Sequence, residues 1–86
     1  MRNISFVPDA FKDYVEWSIS NKDIFNKINE LIKEILREPF KGKGKPEPLK
    51  GNLKGCWIRR INSEHRLVYI ISDNSITLLS CHGHYE

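Results

Sequence analysis

Residues 56–82 read CWIRRINSEHRLVYIISDNSITLLSCH, three runs rich in apolar and β-branched residues (56–61, 65–71 and 75–82) separated by 62–64 and 72–74. Each run has strand length and strand composition, and each gap carries Asn, Asp, Ser or Glu. A parallel crossover takes a dozen or more residues, so gaps this short permit only antiparallel hairpins. The second half of the chain is therefore a meander, and the first half must supply what covers it.

Upstream, NISFV (3–7) alternates briefly and is stopped by Pro8, which reads as a short first strand. Pro8 then suits the first turn of a helix over PDAFKDYVEWSIS, with Asp9 at the positive end of its dipole. In that helix Phe11, Tyr14, Val15 and Ser18 fall on one face. A second helix is marked more strongly by Ile24, Ile28, Leu31, Ile32 and Ile35, with Asn21 or Asp23 as its cap and Pro39 as its stop. The expected order is β-α-α-β-β-β, an α+β fold whose small, antiparallel-rich sheet carries both helices on one face and leaves the other free. All 86 residues form a single domain, 1–86, with no internal repeat. A domain this small is near the lower limit for a self-sufficient core, so a partner or second copy is expected.

Composition removes several classes. No apolar run approaches the roughly 18 residues of a membrane span, and the N-terminus lacks the apolar region of a secretory signal, which makes the cytoplasm the expected location. Cys56 and Cys81 are too few for a disulfide framework and sit in apolar runs, as reduced core residues do. The net charge of +3 is unevenly spread: residues 1–36 hold five basic and six acidic residues, whereas 37–60 hold eight basic and two acidic. Positive charge concentrated in one segment is the footprint of polyanion binding.

That segment includes PFKGKGKPEPLKGNLKG, a 17-residue stretch from Pro39 to Gly55 with Gly and Pro throughout. Ordered loops of this length are usually functional. Within it Glu47 is flanked by Pro46 and Pro48, which restrict the backbone on both sides of its carboxylate. In HRLVYII, Arg66, Val68 and Ile70 point one way and His65, Leu67, Tyr69 and Ile71 the other. Arg60 alternates with Cys56 and Ile58 and is the natural cross-strand neighbour of the start of that strand. His82 and His84 lie on one side of an extended tail. They offer no usual zinc spacing with the cysteines, so neither a metal nor any other cofactor is expected. No Gly-rich phosphate loop follows a strand, and no Ser-His-Asp arrangement stands out.

A glutamate, arginines and a histidine beside a polycationic loop match what is needed to cleave RNA through its own 2′-hydroxyl: a base, cations for the phosphorane and an acid for the departing 5′-oxygen. The alternative is a non-catalytic nucleic-acid-binding module using the same basic loop, which would need the cations but tolerate loss of Glu47.

The strings KINELIKEILREPFKGKGKPEPLKGNLKGCWIRRINSEHRLVYII and CHGHY resemble the YoeB (Txe) branch of the RelE toxin superfamily, over nearly the whole chain. The resemblance implies a RelE-like, microbial-RNase-like fold and the toxin of a type II toxin-antitoxin pair, a ribosome-dependent endonuclease that cuts messenger RNA in the ribosomal A site. It implies a YefM-like antitoxin partner, repression of operator DNA by the toxin-antitoxin complex, and a homodimer. By the same resemblance, Glu47 is the general base, Arg66 the phosphate and transition-state stabiliser, and His84 the general acid. Lys50, Arg60 and Tyr85 match supporting positions that bind phosphate and stack on the base; Lys43 and Lys45 are expected to hold the RNA backbone. The chain departs from some relatives at Gly83, where a larger side chain can stand, and at Glu86, which extends past the tyrosine.

Overall fold

The computed structural model describes residues 2–83, in the order β1 (Asn3–Phe6), α1 (Pro8–Ser20), α2 (Lys22–Arg37), β2 (Glu47–Pro48), a 3-10 turn (Gly51–Leu53), β3 (Cys56–Arg60), β4 (Arg66–Ile71) and β5 (Ser75–Ser80). Asn21 links the two helices. Its backbone N–H donates to the Trp17 carbonyl to close α1, while its Oδ1 accepts from the N–H groups of Asp23 and Ile24 at 3.1 and 3.2 Å to open α2. Helix α2 ends at Glu38, whose N–H still donates to the Glu34 carbonyl before Pro39 turns the chain.

The five strands form one mixed sheet in the order β1-β5-β4-β3-β2. The hairpins β3-β4 and β4-β5 are antiparallel, as the short gaps require. Strand β1 pairs in parallel with β5, Asn3 opposite Ser75 and Phe6 opposite Leu78, so the first strand lies beside the last. The fifth strand, β2, falls inside the stretch expected to be loop, where Glu47 pairs with Ile58 and Pro48 with Trp57. A two-residue strand bounded by prolines offers no period to read, and it can sit only at a sheet edge, where this one lies. The strands expected over 56–61, 65–71 and 75–82 end or begin slightly further in, at Arg60, Arg66 and Ser80.

Both helices cover one face. Ala10 of α1 and Ile24, Ile28, Leu31 and Ile35 of α2 pack against Leu67, Tyr69, Ile76, Leu78 and Cys81. The inward side of α1 differs from the expected one: Ala10, Tyr14 and Trp17 (i, i+4, i+7) meet the core, while Phe11 and Val15 are 54% and 39% exposed. Tyr14 is drawn inward by its hydroxyl, which donates to Asn29 Oδ1 at 2.7 Å, and by ring contacts with Phe6 and Phe25. The opposite face of the sheet is not bare either. Cys56, Ile58 and Val68 are buried there beside Leu49 and Leu79. Both cysteines are free and buried.

Candidate active site

Cross-strand partners in a sheet project to the same face. Glu47 is paired with Ile58 and Ile58 with Val68, while Arg60 is paired with Arg66 two residues along. Glu47, Arg60 and Arg66 therefore share the face turned away from the helices. Their environments differ: Glu47 and Arg60 are exposed, and Arg66 is only 6% exposed. The Arg66 guanidinium is oriented through Nη1, which donates to the carbonyls of Asn62 at 2.6 Å and His65 at 3.2 Å.

The residue that shapes the basic loop is Arg59, which in the sequence is simply one of the eight basic residues of 37–60. It is fully buried. Nε donates to the Tyr69 hydroxyl at 3.0 Å, Nη1 to the Lys43 carbonyl at 2.9 Å, and Nη2 to the carbonyls of Glu38 and Lys41 at 2.6 and 3.0 Å. The Tyr69 hydroxyl in turn donates to the Pro39 carbonyl at 3.2 Å. No carboxylate appears among these partners. The cation is accommodated by backbone dipoles, among them the carbonyl that caps the negative end of α2. Alternation along β3 was the available signal: Trp57 and Arg59 point opposite to Ile58 and Arg60, hence toward the helices.

Arg59 thus ties residues 38–43 to the core side of the sheet, and the next turn brings the chain to Glu47. Gly44 makes this approach close. Its carbonyl accepts from Arg60 N–H at 2.6 Å, its φ is +85°, and a Cβ there would stand 3.0 Å from both Arg59 Cβ and Leu31 Cδ2. Lys45 follows with φ +53°, a left-handed conformation unusual outside glycine, and is exposed. Lys50 is also exposed, at the start of the 3-10 turn. Lys43 is engaged differently, its Nζ donating to Glu30 Oε1 of α2 at 2.7 Å. That bond lowers the pKa of Glu30 and raises that of Lys43.

At the far end, the chain leaves β5 and returns to the start of β4. The Gly83 carbonyl accepts from Arg66 N–H at 2.8 Å, and Gly83 N–H donates to His65 Nδ1 at 3.0 Å. His82 stacks on Trp17 with ring centres 5.6 Å apart and lies 4.7 Å from His65. His84, Tyr85 and Glu86 fall outside the described residues. Among the described residues, no three His, Cys, Asp or Glu side chains are grouped as metal ligands would be, and no helix is long and apolar enough to cross a membrane. The structure thus brings Glu47, Arg60 and Arg66 to one face, sets Lys43 against α2, and leads the chain past Arg66 as far as Gly83.

The sequence matches the family described as the YoeB-like toxin of the bacterial type II toxin-antitoxin system over residues 6–85. It is 54% identical over 77 residues to Toxin YoeB of Escherichia coli K12, covering 90% of this chain and 92% of that protein. Among solved structures, the YoeB dimer from Staphylococcus aureus superposes with a TM-score of 0.92 at 52% identity, covering 98% of each chain. The YoeB-YefM complex from the same organism superposes with a TM-score of 0.90 at 52% identity, covering 99% of each.

Proposed function

This chain belongs to the YoeB-like toxins of bacterial type II toxin-antitoxin systems, and from that premise we propose that it is a ribosome-dependent endoribonuclease that cleaves messenger RNA in the ribosomal A site. The observation that carries the reading is the shared face. Register sets an exposed carboxylate, Glu47, on the same side of the sheet as Arg60 and Arg66, with a basic loop alongside.

Glu47 takes the proton of the 2′-hydroxyl as that oxygen attacks the adjacent phosphorus. Arg66 and Arg60 balance the negative charge of the phosphorane, with Arg66 held ready by the two carbonyls on its Nη1. The bond from phosphorus to the 5′-oxygen breaks, and His84 supplies the proton that oxygen needs. One product ends in a 2′,3′-cyclic phosphate and the other begins with a 5′-hydroxyl. Lys45 and Lys50 hold the RNA backbone, and Tyr85 stacks on a base. No metal or other cofactor takes part. Because the base is an exposed carboxylate, positioning and charge stabilisation supply much of the rate, so RNA shaped by the ribosome is the substrate and free RNA is a poor one.

A cytoplasmic location follows from that substrate. The Staphylococcus aureus structures support a homodimer and a YefM-like antitoxin as the partners of this chain too. In the same reading the toxin-antitoxin complex represses its operator DNA. The deciding experiment presents ribosomes with a messenger RNA carrying a single 2′-deoxy nucleotide on the 5′ side of the cut. Cleavage should stop while ribosome binding persists, and Glu47→Gln should lower cleavage of the normal message roughly a hundredfold to ten-thousandfold. Rapid cutting of the deoxy message, or a product bearing a 5′-phosphate, would mean that water attacks and would overturn the reading.

A further inference from the structure

His65 joins three parts of the site that must hold still together. Its N–H donates to Asn62 Oδ1 at 2.8 Å, and its carbonyl accepts from Ile61 N–H at 3.0 Å and from Arg66 Nη1 at 3.2 Å, so its backbone fixes the β3-β4 turn and the guanidinium. Its side chain reaches elsewhere. Nδ1 accepts from Gly83 N–H at 3.0 Å, while the neighbouring Arg66 N–H donates to the Gly83 carbonyl at 2.8 Å. Both backbone polar groups of Gly83 are thus held by consecutive residues of the chain.

The imidazole is itself held. Trp17 meets it edge-on with ring centres 4.9 Å apart, His82 flanks it at 4.7 Å, and Trp17 is anchored by its Nε1–H to the Cys81 carbonyl at 2.8 Å. To accept at Nδ1 the ring must be neutral with its proton on Nε2. Gly83 has φ +92°, no described atom lies within 4 Å of where a Cβ would stand, and its backbone is held by these two hydrogen bonds. Without the clamp, the residue that precedes His84 has the widest conformational freedom a chain allows.

We propose that His65 is a positioning residue for RNA cleavage: its Nδ1 clamps Gly83 and thereby fixes where the chain continues into His84. The proposal rests on the reading above in which His84 is the general acid. A histidine that only filled space would be replaceable by another flat ring, whereas this one is needed for its acceptor.

The test separates ring from acceptor. His65→Phe keeps an aromatic ring beside Trp17 and His82 but cannot accept. His65→Asn loses the ring but places an amide oxygen near the Nδ1 position, and His65→Gln, whose amide reaches the Nε2 position instead, is a second variant without the clamp. Two quantities are measured: hydrogen exchange of the Gly83 amide by NMR on the full chain, and kcat and KM for message cleavage on ribosomes. His65→Phe and His65→Gln should both release the Gly83 amide to exchange and lower kcat about tenfold to a hundredfold with KM little changed, the scale expected for a catalytic group misplaced by about 1 Å. His65→Asn should restore amide protection and most of kcat. An unchanged Gly83 amide in both acceptor-less variants would overturn the clamp. So would full kcat with that amide released, or an Asn variant no better than the Phe variant. His84→Gln is assayed in parallel: full cleavage by it, with the Gly83 amide still answering to His65, would refute the general-acid assignment and leave the clamp standing.

Discussion

Arg59 carries its charge to a place solvent does not reach, and its four hydrogen bonds decide the path of the basic loop. Replacing it with Met would fill much of the space but leave three carbonyls and the Tyr69 hydroxyl without their donor. An acceptor left unsatisfied out of reach of water costs about 1–3 kcal/mol, and as only the bond to Tyr69 is fully buried, Arg59→Met should lower unfolding free energy in urea by about 3 kcal/mol. Cleavage should fall in the variant even where it remains folded, because Glu47 follows the loop that Arg59 ties down; full activity would show that the loop finds its path without it. A second buried group sets an alkaline limit. Burial, with the Asp13 carboxylate as the lesser cause, pushes the Cys81 thiol from an ordinary 9.0 up to about 12, and burial likewise raises Tyr69 against the lowering effect of Arg59. The fold prefers the protonated thiol, so above about pH 9 the unfolded chain releases a proton that the folded chain retains. The resulting stability is fully present below pH 9 and is lost as pH rises toward 12. Urea unfolding at about pH 7 and about pH 10.5 should show a larger loss in the wild type than in Cys81→Ala. Equal losses would remove Cys81 as the cause.

The elements differ in how plainly the residues announced them. Helix α2 was legible because Ile24, Ile28, Leu31 and Ile35 keep one stripe, and all four are buried. The hairpins were legible because three-residue gaps leave only one connection. Helix α1 was placed correctly along the chain but turned wrongly, since Phe11 and Val15 look like core by composition, whereas Ala10 and Trp17 are what the sheet has room for. Glu47, Arg60 and Arg66 could be nominated from chemistry and resemblance, but their common face depended on the register of β2, which has no pattern of its own. The buried role of Arg59 and the clamp at His65 were hidden because a charged or titratable residue is read as outward until its acceptors are seen. The loop between α2 and β3 gives the prediction at this scale. Neutralising a phosphate releases counterions, so Lys45→Ala and Lys50→Ala should each flatten the logarithmic salt dependence of RNA binding by about one unit. Lys43→Ala should change it less, since its ammonium is already paired with Glu30. An equal or larger effect at Lys43 would mean that the pair opens when RNA binds.

Across the whole molecule, the sheet order β1-β5-β4-β3-β2 sets the site-bearing edge at β2 far from the edge closed by β1. Changes to β1 should therefore act on stability and leave the chemistry alone: Phe6→Ala, which removes ring contacts to Phe11 and Tyr14, should lower stability by about 3 kcal/mol while sparing kcat in the folded fraction. A kcat loss in fully folded protein would show that the two edges are coupled. The parallel pairing of β1 with β5 also imposes a timetable. Asn3 cannot meet Ser75 until about 70 further residues have been polymerised, which at bacterial rates takes roughly 4 to 14 seconds. Throughout that interval the first strand to be made has no neighbour to bond with, and the meander that will receive it does not yet exist. The sheet that carries the basic loop is therefore among the last things a nascent chain completes, and a messenger RNA encoding it is translated almost to the end of β5 before its product has the architecture to harm anything.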